Sequence, residues 1–224
     1  MPAAPSRLMA SRAWTQAALV LGLAAILCAG CAAHRKGEGP EEVYRAEIRP
    51  LNTDITGRNP QGTALFEVYK EEITVTVSLR DMPPGIPHMQ HLHGFVDGRE
   101  AQCPASDADV NNDGAIDLLE TEAVMGLTLI PLHDEPAHLA IQGTYPRAGQ
   151  DGVLSYTQRI PREHLASALK TKHGLEELDL DDMVIVIHGV EPATLLPPSV
   201  KTLPGAPAQA TLPIACGSLE EVED

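Results

Sequence analysis

Hydrophobic and polar residues alternate most regularly between positions 73 and 79. The apolar side chains stand at the odd positions and the polar ones at the even positions: Ile73, Val75, Val77 and Leu79 against Thr74, Thr76 and Ser78. Because successive side chains of a strand point to opposite faces, this pattern predicts an antiparallel strand with one buried face.

Shorter stretches of the same kind predict further strands, separated by turn residues. They lie at 44–53, 63–69, 127–132, 138–145, 153–160, 183–188 and 210–217. The stretch 183–188 is almost continuously apolar, which is typical of a strand buried on both faces. A turn at 149–152 is predicted to join 138–145 to 153–160 as a hairpin. Many short strands with turns between them indicate an all-β sandwich or barrel.

One segment, 161–173, has helical periodicity. Pro161 suits the first turn of a helix, Leu165 and Leu169 share one face, and Gly174 suits the end. Residues 192–209 are rich in Pro and Ala without periodicity, and are predicted to be a loop.

The first 30 residues are predicted to be an export signal. Arg7 and Arg12 precede an apolar run at 17–29, which is too short to cross a bilayer as a mature helix. The run ends at Cys31 after small residues, and so resembles a bacterial lipoprotein signal in which that cysteine is lipidated; ordinary cleavage nearby is the alternative. We expect an exported protein of the cell envelope, anchored to a membrane and facing the periplasm or exterior. Residues 31–42 are the predicted flexible tether, 43–218 the domain, and 219–224 an acidic tail.

Removal of the signal leaves 14 basic and 31 acidic residues, a formal charge of −17. Nucleic-acid binding is excluded on this ground, because phosphate contacts need clustered Lys and Arg. In an oxidising compartment the two cysteines of the mature domain, Cys103 and Cys216, most simply pair with each other.

A calcium-loop pattern occupies residues 109–120. Gly114 stands at the sixth position, where the loop turns sharply, and Ile116 is the apolar residue at the eighth. The predicted ligands are Asp109, Asn111, Asp113, the Ala115 carbonyl, Asp117 and Glu120. No long helix is expected before the loop, and a turn or two of helix is expected at 118–125. The pattern therefore indicates a single structural calcium site; a solvated acidic turn is the alternative.

Two histidines at strand spacing, His91 and His93, are expected to project from the same face. A pair at this spacing can grip one metal ion, although structural hydrogen bonding explains most such pairs. His188 ends the most apolar strand of the chain.

These residues resemble copper/zinc superoxide dismutases. The resemblance runs through 75–94, with His88-x-x-His91-x-His93-Gly94, and continues at 151–153, 184–188 and 214–217 in the order of that family. It implies a Greek-key β-barrel, copper ligands at His91, His93 and His188, and a disulfide between Cys103 and Cys216. In that family the residue at the place of His88 is structural.

The chain also departs from that family. The loop that supplies zinc-binding histidines there contains none here between Cys103 and His133, so zinc is not expected. His133 or His138 is a possible fourth copper ligand. Pro213 stands where the family has an arginine that guides superoxide, and an acidic domain without that cation steers an anion poorly.

Two hypotheses follow for function. The first is an exported copper/zinc superoxide dismutase-like protein with copper at the three histidines, a structural calcium, and superoxide as the possible substrate. The alternative is a non-enzymatic copper-binding module or a calcium-stabilised cell-surface binding module.

Overall fold

The computed structural model describes residues 39–223. An antiparallel β-sheet of eight strands curls around one hydrophobic core. The strands are β1 Glu42–Pro50, β2 Gln61–Val68, β3 Glu72–Arg80, β4 Gln90–Gly94, β5 Leu127–Pro131, β6 Leu154–Pro161, β7 Val184–His188 and β8 Pro213–Glu221. The helices are α1 Thr53–Thr56, α2 Leu118–Met125, α3 Arg162–His173 and α4 Ala208–Thr211, with 3₁₀ turns at Ser106–Ala108 and Pro136–His138.

The strands are hydrogen-bonded in the order β5-β4-β7-β8-β1-β2-β3-β6, and every neighbouring pair is antiparallel. The all-β prediction is therefore confirmed. The sheet has β5 and β6 at its two edges. This order brings β4 and β7, which are far apart in sequence, side by side.

The inner face of the curled sheet carries the apolar residues of the alternating patterns. In β3 the residues Ile73, Val75, Val77 and Leu79 are buried, as the alternation predicts, and Phe66 on β2 is among the largest buried side chains. Burial of one such aromatic side chain stabilises a fold by about 1.5–3 kcal/mol.

The outer face of β7 and β8 is covered as well, by the long connection between β4 and β5. Val184, Val186 and Cys216 form a second buried cluster with Ala101 and Met125 of this connection. Consequently β7 is buried on both faces, which its continuous apolar sequence predicts.

A disulfide between Cys103 and Cys216 ties the same connection to β8 and closes a sequence separation of 113 residues. The predicted pairing is confirmed.

The structure corrects the prediction of a strand at 138–145. A one-turn helix, Pro136–His138, begins this region, and irregular chain follows it. Leu139 adopts a left-handed conformation with φ 53°, which an extended strand does not tolerate. The turn at 149–152 therefore leads into β6 without a hairpin partner, and β6 pairs with β3 instead.

The other helices and strands that the sequence predicts end closer to their predicted boundaries. Helix α3 matches its prediction, with Pro161 as the N-cap and Gly174 in the left-handed conformation at the C-cap. Strand β8 continues to Glu221, so residues 219–221 lie in the sheet. The predicted lipidation site, Cys31, is outside the described residues. Within residues 39–223 no helix is both long and apolar enough to cross a membrane.

Candidate metal centre

Three histidine side chains meet on the outer face of the sheet. His91 and His93 come from β4 and His188 from the end of β7. One ring nitrogen of each lies within 4.8 Å of those of the other two. The three residues are only 5%, 3% and 1% exposed.

Strand alternation explains this meeting. Leu92 on β4 and Ile187 on β7 point into the inner core, so the residues on either side of them point outward. Antiparallel pairing of β4 with β7 then brings His188 beside the two histidines of β4. The ring centroids of His91 and His188 are 5.2 Å apart.

The imidazole of His188 is oriented by the connection between β7 and β8. Its Nδ1 lies 2.8 Å from the carbonyl oxygen of Thr211, and a carbonyl only accepts. Nδ1 therefore carries the proton, and Nε2 carries the lone pair. Among the described residues, this buried Nε2 has no hydrogen-bond partner.

His93 is oriented by the connection between β4 and β5. Its Nδ1 lies 3.5 Å from the carbonyl oxygen of Gly126, which makes Nε2 the acceptor, and the Thr128 hydroxyl lies 3.3 Å from Nε2. Gly126 has φ 73°, and a Cβ there would lie 2.2 Å from the Gly94 oxygen. Only glycine allows the chain to pass this close to β4.

His91 is oriented by the connection between β5 and β6. Its Nε2 lies 3.0 Å from the hydroxyl of Tyr145. Its Nδ1 is buried and, within the described part of the chain, makes no hydrogen bond. Each of the three histidines is thus held by a different connection that folds over the outer face.

The environment keeps the three imidazoles neutral. Burial lowers the pKa of His188 to about 4, and burial together with the neighbouring His188 lowers the pKa of His93 to about 3. Burial and the other imidazoles hold the pKa of His91 well below its usual range. At neutral pH the group therefore offers lone pairs, as metal binding requires.

His88 lies next to this group but has a structural role. Its Nδ1 and Nε2 lie 3.0 Å and 2.9 Å from the carbonyl oxygens of His188 and Pro83. Burial lowers the pKa of His88, and a neutral imidazole has one N–H, so His88 donates to one of these two carbonyls at a time. Its ring lies between the end of β7 and the residues that follow β3.

The structure does not bring His133 or His138 to the group as a fourth ligand. His133 is buried, but its Nδ1 accepts the N–H of Glu135 and its Nε2 donates to the Ala140 carbonyl. His138 lies at the surface beside Glu135, with a side chain that is 69% exposed.

The predicted calcium loop, residues 109–120, is ordered by its own carboxylates. Asp109 accepts the N–H groups of Asp113 and Gly114, and Asp117 and Glu120 form a capping box at the start of α2. These carboxylates are not brought together as the three histidines are, since within residues 39–223 only the histidines form such a group.

The calcium loop is also anchored to the rest of the domain. The Asn52 side chain binds both the N–H and the carbonyl of Ile116 and the carbonyl of Pro213. Asp117 is fully buried and accepts the N–H of Lys201 at 2.6 Å. The loop therefore has a defined place against β8 and the connection that precedes it.

The outer partners of the histidines are the residues that sequence reasoning missed. Gly126, Thr211 and Tyr145 lie 33, 23 and 54 residues from the histidines they contact. Two of them act through backbone carbonyls, for which no residue type is diagnostic. Tyr145 belongs to the segment 138–145, for which the sequence predicts a strand, so no contact with a histidine is expected from its pattern.

No protein-family model and no curated protein matches the chain. The chain is similar to solved structures of a SOD-like protein from Bacillus subtilis. A double mutant of that protein is 18% identical, with a TM-score of 0.40, over 78% of this chain and 95% of that chain. A single mutant is 14% identical, with a TM-score of 0.37, over the same shares. Both TM-scores are below 0.5.

Proposed function

We propose that this protein binds one copper ion through Nδ1 of His91, Nε2 of His93 and Nε2 of His188. The observation that carries the proposal is the pair of buried ring nitrogens, one on His91 and one on His188, that have no partner among the described residues. A buried polar atom without a partner costs about 1–3 kcal/mol, and a metal ion removes that cost. The donor set therefore fits a metal.

Copper is the metal that the ligand chemistry favours. Imidazole nitrogen suits copper, zinc and iron, and the Irving–Williams order places Cu(II) above the others for a given site. Copper bound there supplies one-electron chemistry, the kind that dismutation of superoxide to dioxygen and hydrogen peroxide requires. The chain's own contribution is to hold three neutral imidazoles and to exclude bulk water from them.

We further propose that the domain is a superoxide dismutase-like Greek-key barrel that is exported and lipid-anchored at Cys31. The residues shared with copper/zinc superoxide dismutases and the signal-like N-terminus support this proposal. The formal charge of −17 repels superoxide, so we expect dismutation to be slow at low salt and faster at higher ionic strength, where the repulsion is screened.

Titration of the metal-free protein with Cu(II), followed by electron paramagnetic resonance, tests the proposal. We expect saturation at one equivalent with nitrogen couplings from imidazole, and superoxide decay that the copper-loaded protein accelerates and a chelator stops. Absence of a one-equivalent site would refute copper binding. Full copper loading without any acceleration of superoxide decay would favour the non-enzymatic copper-binding module.

A structural calcium ion in the calcium loop is a second proposal. It is supported by the spacing of oxygen donors from Asp109 to Glu120, by Gly114 with φ 85°, and by the anchoring through Asn52 and Lys201. A calcium-stabilised binding module without copper is the alternative function that this loop favours.

Calcium at about 10 mM is expected to raise the free energy of unfolding by about 1–3 kcal/mol, given a dissociation constant of about 10⁻⁴ to 10⁻³ M. Glu120→Gln removes the bidentate ligand and should abolish this gain in urea unfolding. Glu122→Gln, an exposed change on the same helix, is the matched control and should keep it. An equal gain in both variants would contradict the calcium site.

A further inference from the structure

The hydroxyl of Tyr145 contacts two groups whose hydrogen-bonding roles determine each other. It donates to the carbonyl oxygen of Ile141 at 2.8 Å and lies 3.0 Å from Nε2 of His91. A phenol has one hydrogen, and the carbonyl takes it. Nε2 of His91 must therefore be the donor in the second contact, and the lone pair of His91 is on Nδ1.

The ring of Tyr145 is held in place by edge contacts with two imidazoles. Its centroid lies 5.6 Å from that of His91 and 5.2 Å from that of His133, at interplanar angles of 87° and 90°. His133 is itself fixed, because both of its ring nitrogens bind backbone groups. The hydroxyl of Tyr145 therefore meets His91 at a defined position.

We propose that Tyr145 is a positioning residue that selects the tautomer of His91 and thereby sets the affinity of the three-histidine site for copper. The copper part of this inference rests on the proposed function. Histidine ligands commonly donate their second N–H to a fixed partner, and loss of that partner typically costs 10- to 100-fold in metal affinity. Here the partner is a neutral phenol rather than a carboxylate.

The opposite tautomer of His91 would be incompatible with metal binding. It would place a proton on Nδ1, the nitrogen that we propose as the copper ligand, and would leave two lone pairs facing each other at Nε2 and the tyrosine oxygen. The hydrogen bond to Tyr145 therefore disfavours the Nδ1–H tautomer of His91 in the metal-free protein. The selection is thus a property of the metal-free protein and can be measured there.

Tyr145→Phe tests the inference, because it keeps the ring contacts with His91 and His133 and removes only the hydroxyl. In ¹⁵N-labelled, metal-free protein, long-range ¹H–¹⁵N spectra should show His91 as the Nε2–H tautomer in the parent and as a mixture in the variant. The dissociation constant for Cu(II), measured by competition with a chelator, should rise about 10- to 100-fold. Tyr156→Phe is the matched control, since Tyr156 donates to the carbonyl of His133 and should change neither readout.

The two readouts separate the failure of this inference from the failure of the proposed function. An unchanged Nε2–H tautomer in Tyr145→Phe would overturn the inference, and so would an unchanged copper affinity in a variant of a protein that does bind copper. If the parent binds no copper, the proposed function fails, and the tautomer alone decides whether Tyr145 positions His91. Equal losses in Tyr145→Phe and Tyr156→Phe would also overturn it, because they would report a general loss of packing.

Discussion

Substitution of His188 by alanine is expected to weaken Cu(II) binding by more than the roughly 10- to 100-fold that accompanies loss of an outer hydrogen-bond partner. His188 is the proposed ligand that β7 contributes, and it comes from a strand far from His91 and His93 in sequence. Without it, the outer face of β4 retains two imidazoles and the third coordinating nitrogen is gone. The measurement is a competition titration with a chelator of known affinity.

His138→Ala is the matched control for that experiment. His138 is a histidine of the same domain that is exposed and outside the group, so its loss should leave copper affinity unchanged. His188→Ala also leaves the carbonyl of Thr211 without its donor, so folding is to be checked by circular dichroism. If His188→Ala does not fold, His91→Ala serves instead, since the Tyr145 hydroxyl that contacts His91 keeps its hydrogen bond to the Ile141 carbonyl when His91 is removed. Copper binding by a folded variant at the affinity of the parent would contradict the site.

Removal of the disulfide is expected to have the largest effect on stability. The bond closes a loop of more than 100 residues, for which chain-entropy estimates give about 4–5 kcal/mol. Since domains are stable by only about 5–15 kcal/mol, the double variant Cys103→Ser, Cys216→Ser should be close to unfolding in water. Urea unfolding of the metal-free variant and parent measures the difference.

The control is the parent protein with its disulfide reduced by dithiothreitol, compared with the double variant. Dithiothreitol should lower the stability of the parent to slightly above that of the double variant and leave the variant unchanged, because the variant has no disulfide to reduce. Cys216 is buried in the cluster with Val184 and Val186, so the serine adds a smaller packing cost that the reduced parent does not have. A double variant within about 1 kcal/mol of the parent would contradict the expected effect.

The connection between β4 and β5 contains both a disulfide cysteine and a residue that contacts the histidine group. In the part of the chain that the structure describes, the disulfide holds the connection between β4 and β5 against β8, and the end of that connection supplies Gly126 to His93. The connection that buries the second cluster therefore also orients His93. The stability of the fold and the proposed metal site therefore share this connection.

The sequence by itself determined those features that depend on neighbours within a few residues. Alternation placed Val75 and Val77 on the buried face of β3, and the spacing of His91 and His93 placed both on one face of β4. Proline before α3 and Gly174 after it marked the ends of that helix. Such patterns are reliable because the backbone geometry of a strand or helix repeats locally.

Only the tertiary structure decided how the connections lie on the sheet. The segment 138–145 has the composition of a strand, but Leu139 is fully buried in a left-handed conformation and its carbonyl accepts from Lys172 of α3. The same connection then brings Tyr145 to His91 across 54 residues. No local repeat relates two positions so far apart, so contacts between them depend on the packing of the whole chain. These contacts determine which ring nitrogen of each histidine is free.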